Sequence, residues 1–167
     1  MRKLRSIVYV ILVACIICGC GWKKSEPYYC RKVINGDKFV ILDGNKEQII
    51  QLAGVDTPDL SKEPGEPDEF YSREALSYLK SRIEGQEIYL EFGKPKVDVF
   101  KQWRAYVYLK DGTFMNLEML KQGYAAVFTY YEFPERSQFL TAQYEATKSK
   151  NGMWQGRVGR FSVVGGK

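Results

Sequence analysis

From Tyr28 to Ile34 apolar and polar residues alternate loosely, and the run stops at Asn35-Gly36, a strong signal for a tight hairpin. A short β-rich run, Lys38 to Leu42, ends at a second turn of the same kind, Asp43-Gly44. Gln48 to Leu52 follows as a third strand, so two tight hairpins in succession predict a three-stranded meander. Ser61 to Asp68 is rich in Pro, Gly and acid and reads as a mobile loop. The period then changes. Between Asp68 and Ile83, residues Phe70, Ala75, Leu76, Leu79 and Ile83 share one helical face, and Gly85 stops the helix. Glu87 to Phe92 and Arg104 to Leu109 are two further strands, the second closed by Asp111-Gly112. Asn116 to Gln122 predicts a short helix capped by Asn116 and ended by Gly123. Glu135 to Ser149 predicts a longer one, ending near Asn151-Gly152. There is no internal repeat and no low-complexity segment. Five short strands, one helix between the third and fourth and more helix at the end predict an α+β fold: a small, closed, five-stranded barrel of OB type with about three helices packed on it.

The first residues follow a different pattern. Met1 to Arg5 is basic, Ser6 to Cys18 is apolar, and polar sequence begins after Gly19-Cys20. This is the pattern of a secretory signal, too short to favour a spanning helix. Ile17-Cys18-Gly19-Cys20 resembles the lipobox of bacterial lipoproteins, in which the cysteine is lipidated and becomes the first residue of the mature chain. Leu12-Val13-Ala14-Cys15 also fits, and an uncleaved membrane anchor is the alternative to both. Cys20 is preferred because polar residues begin just after it, which keeps the apolar run inside the signal. The expected layout is therefore a signal over 1–19, a linker over 20–27, one domain over 28–157 and a short tail over 158–167. A diacylated Cys20 buries enough CH₂ groups for stable anchoring, so the resemblance implies an exported, membrane-anchored protein. Its expected state is a monomer.

Removing the signal changes the charge balance. The full chain carries +5, but Arg2, Lys3 and Arg5 leave with the signal. That brings 25 basic residues to 22 against 20 acidic ones, a net charge of +2 and a weak argument for a polyanion partner on charge alone. Only Cys30 remains in the domain, so no intramolecular disulfide is expected. The chain has no histidine, which excludes Ser-His-Asp and Cys-His mechanisms and imidazole metal sites. Chemistry here falls to carboxylates, Arg, Lys, Tyr or a metal held by oxygen. The stretch Gln51-Leu52-Ala53-Gly54-Val55-Asp56-Thr57-Pro58-Asp59 places two carboxylates around a Thr-Pro directly after an apolar strand. Pro58 locks its own φ and pushes Thr57 to an extended conformation, so the corner holds its acids at a fixed rim. Such a corner suits a hard cation such as Ca²⁺, which takes carboxylate and carbonyl oxygens.

Three features now converge: Val33-Ile34-Asn35-Gly36-Asp37-Lys38-Phe39, the corner from Gln51 to Asp59, and Arg104-Ala105-Tyr106-Val107-Tyr108 followed by Asp111-Gly112, Asn116-Leu117-Glu118-Met119-Leu120 and Gly123. Ser72-Arg73-Glu74-Ala75 and the stretch Gln143 to Trp154 add to them. In order and spacing they resemble the staphylococcal nuclease (thermonuclease) family, over about residues 28 to 155. That resemblance implies an OB barrel with three helices and Ca²⁺-dependent hydrolysis of phosphodiester bonds in DNA and RNA. It implies Ca²⁺ ligands at Asp37, Asp56 and the backbone carbonyl of Thr57, with water and a substrate phosphate completing the shell. The family's two phosphate-clamping arginines fall at Gln51 and Gln102, and its general-base glutamate at Asp59, one methylene shorter. A lysine and a tyrosine that flank the phosphate fall at Val99 and Phe100. Gln keeps a donor but loses the charge and the bidentate fork.

Arg104 lies two residues beyond Gln102, on the same face of the predicted strand if it begins there, and Lys101 is adjacent; either can supply positive charge to a phosphate. Tyr130 and Tyr131 lie where the family places a tyrosine near the bound base, a position suited to stacking on a nucleotide. Three functions stay open on these residues. One is a Ca²⁺-dependent nuclease with an altered site. The second is a non-catalytic module that binds nucleic acid or another ligand. The third is a structural or interaction lipoprotein.

Overall fold

Both hairpin turns form where their chemistry predicts. The computed structural model describes residues 26–61, 63–97 and 102–156. Tyr28–Val33 (β1), Lys38–Asp43 (β2) and Lys46–Leu52 (β3) make the antiparallel meander. Alternate residues point inward from β2 (Phe39 and Ile41) and β3 (Ile50 and Leu52), while in β1 an irregularity between Cys30 and Lys32 spaces the inward Cys30 and Val33 three apart. Glu87–Val97 (β5) and Trp103–Tyr108 (β6) form a further antiparallel pair, and β1 closes on β5 through Tyr28 opposite Ile88. The remaining seam is parallel, β3 to β6, with Ile50 beside Trp103, Gln51 beside Arg104 and Leu52 beside Ala105. A parallel pair needs a long crossover, and the helix Ser72–Ile83 (α1) lies in it. The result is a closed barrel in the order β1-β2-β3-β6-β5.

Two elements escape the alternation rule. Val55–Asp56 (β4) and Ala126–Val127 (β7) pair with each other in a separate two-stranded sheet. The corner after β3 is therefore itself hydrogen-bonded, and Phe128 N–H extends the pairing to the carbonyl of Gly54 at 3.0 Å. Three consecutive residues of β6, Ala105, Tyr106 and Val107, are buried because helices cover the barrel's outer side there. Tyr106 packs edge-on against Phe114 and Phe139, the latter from the helix Arg136–Lys148 (α3). Met115–Lys121 (α2) precedes β7, and a short 3₁₀ turn, Gly152–Gln155, follows α3.

The expected cap at Asn116 is wrong. Phe114 holds the N-cap of α2, and Asn116 lies inside the first turn, fully buried. Its amide nitrogen donates to the carbonyls of Ala53 (2.9 Å) and Ala105 (3.2 Å), and its Oδ1 accepts from Val107 N–H at 2.9 Å. Asn116 thus ties α2 to β6 and to the residue after β3. The first helix also begins later than Asp68. Tyr71 sits at φ 73, outside helical space, and Ser72 is the first helical residue. Asp68 instead accepts Ser61 N–H (2.9 Å) and Arg73 Nε–H (2.6 Å), closing the base of the loop before α1.

Among the described residues no helix is long and apolar enough to cross a membrane. The predicted signal, Cys15 and Cys20, the segment with Val99, Phe100 and Lys101, and the predicted tail lie outside the described residues. Cys30 is buried and unoxidised; burial pushes its thiol up to about 12, so it serves as a core residue rather than a nucleophile.

Candidate active site

The β1–β2 turn and the corner after β3 meet. A Cβ at Gly36 would lie 2.8 Å from Thr57 Oγ1 and 2.9 Å from the Ala75 side chain on α1. Only a glycine allows that approach, so Gly36 seats the turn against the corner. Asn35 Oδ1 accepts the N–H of Asp37 at 3.1 Å, the turn-forming contact of an Asn side chain. The carbonyl of Asp37 takes Leu52 N–H at 2.8 Å. These bonds fix the backbone of Asp37 at the rim of the barrel, where the residue is 3% exposed. Thr57, at the corner, is buried as well, and Asp56 beside it is half-buried on β4.

The carboxyl of Asp37 is held above the usual carboxylate range by burial in the first place and by the charge of Asp59. Three groups oppose the rise: Gln51, whose Nε2 donates to Asp37 Oδ2 at 2.7 Å, the ammonium of Lys38 and the side chain of Asn35. Asp59 is placed by its backbone. Its N–H donates to Glu69 Oε2 at 2.8 Å, and its carbonyl accepts Glu69 N–H at 3.0 Å. The structure therefore brings Asp37, Gln51, Thr57 and Asp59 to one place.

Arg104 joins them from β6. In a parallel pair, registered residues point to the same face, so Arg104 shares the face of its neighbour Gln51. Its guanidinium carbon lies 4.8 Å from the ring centroid of Tyr131, within cation–π range. The Tyr131 hydroxyl accepts Gly54 N–H at 3.0 Å, which ties the ring to the residue before β4. Gly54 has φ 74 and packs against the Phe133 ring, where a Cβ would come within 2.8 Å. Gln102 immediately precedes β6, next to the residue that pairs with Ile50. Tyr130 is 89% exposed and leans on Phe128, with ring centroids 5.1 Å apart.

The donor chemistry fits a hard cation. Among the described residues no three acidic or cysteine side chains converge on one point. A cation here would use Asp37, Asp56 and the Thr57 carbonyl, with solvent or substrate oxygens for the rest of the six to eight that Ca²⁺ takes. The buried charge of Asp37, repelled by Asp59, is what such an ion would offset.

Residues 49–156 match the family described as Staphylococcal nuclease homologue. The chain belongs to the staphylococcal nuclease family. It is 31% identical to the thermonuclease of Staphylococcus intermedius over 159 residues, covering 90% of this chain and 93% of that one. It is 28% identical to the thermonuclease of Staphylococcus hyicus, covering 92% and 99%. A probable endonuclease of Komagataella phaffii is 31% identical, covering 83% of this chain and 59% of its own. Family membership and the closed barrel agree with what the motifs implied. Sequence spacing offered no signal for Glu69, which pins Asp59, or for the bond from Gln51 to Asp37; both depend on contacts across the fold.

Proposed function

We propose that this protein is a calcium-dependent nuclease that hydrolyses phosphodiester bonds in DNA or RNA at a site altered on its phosphate side. The observation that carries this reading is the buried Asp37 carboxylate, on a turn whose Gly36 packs against Thr57 of the Asp56-Thr57-Pro58 corner, and which feels the charge of Asp59. Asp37, Asp56 and the Thr57 carbonyl would hold Ca²⁺. When bound, the ion supplies a positive charge that polarises a phosphoryl oxygen.

The protein's own groups do the rest. Asp59, held by Glu69, accepts a proton from the attacking water. Arg104, propped on Tyr131, meets the negative charge that grows on the phosphoryl oxygens. Gln102, at the start of β6, donates a neutral hydrogen bond in place of a charged one. Tyr131 limits where the guanidinium sits, and Tyr130, largely exposed, offers a face on which a base stacks.

A second reading has a specific support. Two glutamines, Gln51 and Gln102, stand where phosphate chemistry would profit from charge, as expected of a non-catalytic module that binds nucleic acid or another ligand. The test is cleavage of labelled single-stranded DNA with Ca²⁺ and with chelator, beside binding of the same DNA at rising salt. Chelator-sensitive cleavage supports the nuclease. Binding that falls steeply with salt and brings no cleavage supports the module. Neither cleavage nor binding would leave an interaction lipoprotein. The same proposal has the domain exported and tethered through a lipidated Cys20. Mass spectrometry of the mature N-terminus tests that, and an unmodified cysteine would refute it.

A further inference from the structure

Gln51 lies on β3 between Ile50 and Leu52, both buried inside the barrel, so its side chain goes to the opposite face. There it meets one partner, the Oδ2 of Asp37, at 2.7 Å. The backbone of Asp37 is already fixed on both sides, its N–H by Asn35 and its carbonyl by Leu52. The carboxylate plane is what remains to be set. A carboxylate presents two oxygens with about four lone-pair directions. One N–H on Oδ2 stops rotation of the group and leaves Oδ1 free of that contact.

We infer that Gln51 is a positioning residue for the cation, holding Asp37 so that one carboxylate oxygen faces the corner formed by Asp56 and Thr57. This rests on the calcium site proposed above. The choice of an amide follows from its charge. An arginine at this position offers its charge to a phosphate, whereas the neutral amide bonded to Asp37 orients the ligand and leaves its negative charge in place. An aliphatic side chain would remove the 2.7 Å bond and leave the buried carboxylate held by the side chain of Asn35 alone. Partners that orient a metal ligand in this way typically change metal affinity about 10–100-fold when removed.

The test is calorimetric titration of the full-length chain, in detergent, with Ca²⁺ alone. Gln51→Met keeps the length of the side chain and removes the donor; Gln51→Asn keeps an amide but withdraws it by one methylene. The dissociation constant should rise about 10–100-fold in Gln51→Met, and in the same direction in Gln51→Asn, beyond the fall of a few degrees in cation-free melting temperature that loss of the bond to a buried carboxylate brings by itself. A purely structural role would lower the melting temperature and leave the dissociation constant alone. An unchanged constant in the variant that folds overturns the assignment. No Ca²⁺ binding by the unaltered chain removes the calcium site itself, and with it the role of Gln51; binding by the unaltered chain with no response in either variant removes only the latter.

Discussion

Replacing Asp37 with Asn should make the cation-free protein more stable and its calcium response smaller. A buried carboxylate carries an effective penalty of several kcal/mol. Here Gln51 and Lys38 offset part of it and Asp59 adds to it. The amide of an asparagine keeps an acceptor for Gln51 but trades a charge-assisted bond of about 1.5–3 kcal/mol for a neutral one of about 1 kcal/mol. The net gain at neutral pH is then on the order of 1–2 kcal/mol, or roughly 3–8 °C for a domain of this size. The sign of the pH dependence is fixed as well. Because the folded-state pKa of Asp37 lies above its ordinary value of 3.8, the folded chain holds more protons than the unfolded one between the two. That contribution to stability is therefore lost as pH rises through the window above 3.8. Asp37→Asn should flatten this part of the profile. Calcium should act oppositely, binding more tightly as Asp37 ionises. At 100 times its dissociation constant it should add about 2.7 kcal/mol to the unaltered chain and much less to the variant. The assay is thermal unfolding with and without millimolar Ca²⁺ from pH 4 to pH 8. A cation-free variant less stable than its parent at neutral pH, or one with an undiminished calcium shift, would refute the reasoning.

Other residues carry further expectations. Arg104→Leu should lower the rate of DNA cleavage about 10²–10³-fold while the melting temperature moves little, because the group acts on charge developing at the phosphate. Gln102→Arg should raise the cleavage rate, by at most a similar factor, and an unchanged rate would place that side chain outside the reaction. Asn116→Ala should cost roughly 2–5 kcal/mol in urea unfolding, since it strands the buried N–H of Val107 and the carbonyl of Ala53.

The barrel was legible because its signals are local. Asn35-Gly36 and Asp43-Gly44 dictate hairpins, and the inward residues of β2 and β3 follow period two, which β1 breaks at the irregularity after Cys30. The helices were legible in position but less so at their ends. Asp68 has the chemistry of a cap, yet Arg73 and Ser61 claim its carboxylate, and the left-handed Tyr71 delays the helix to Ser72. Asn116 likewise resembles a cap and is instead a buried clasp, a role set by Ala53, which is 63 residues away. The site divides in the same way. The corner and the turn are short motifs, and both were visible. The contacts that tune them join distant segments: Gln51 to Asp37, Glu69 to Asp59, Tyr131 to Gly54 and Arg104 to Tyr131. Two-residue strands such as β4 and β7 have no periodicity to detect, since two residues cannot display an alternation.

The proposed function has a cation at the Asp37–Asp56–Thr57 corner drive phosphodiester cleavage despite the missing charges. It is tested most directly by the rate of single-stranded DNA cleavage measured against free Ca²⁺ concentration. Slow, saturable cleavage that stops on chelation is expected, with a half-point matching the calcium dissociation constant from unfolding. Cleavage that persists in chelator, or none at saturating Ca²⁺ after prolonged incubation, would contradict it.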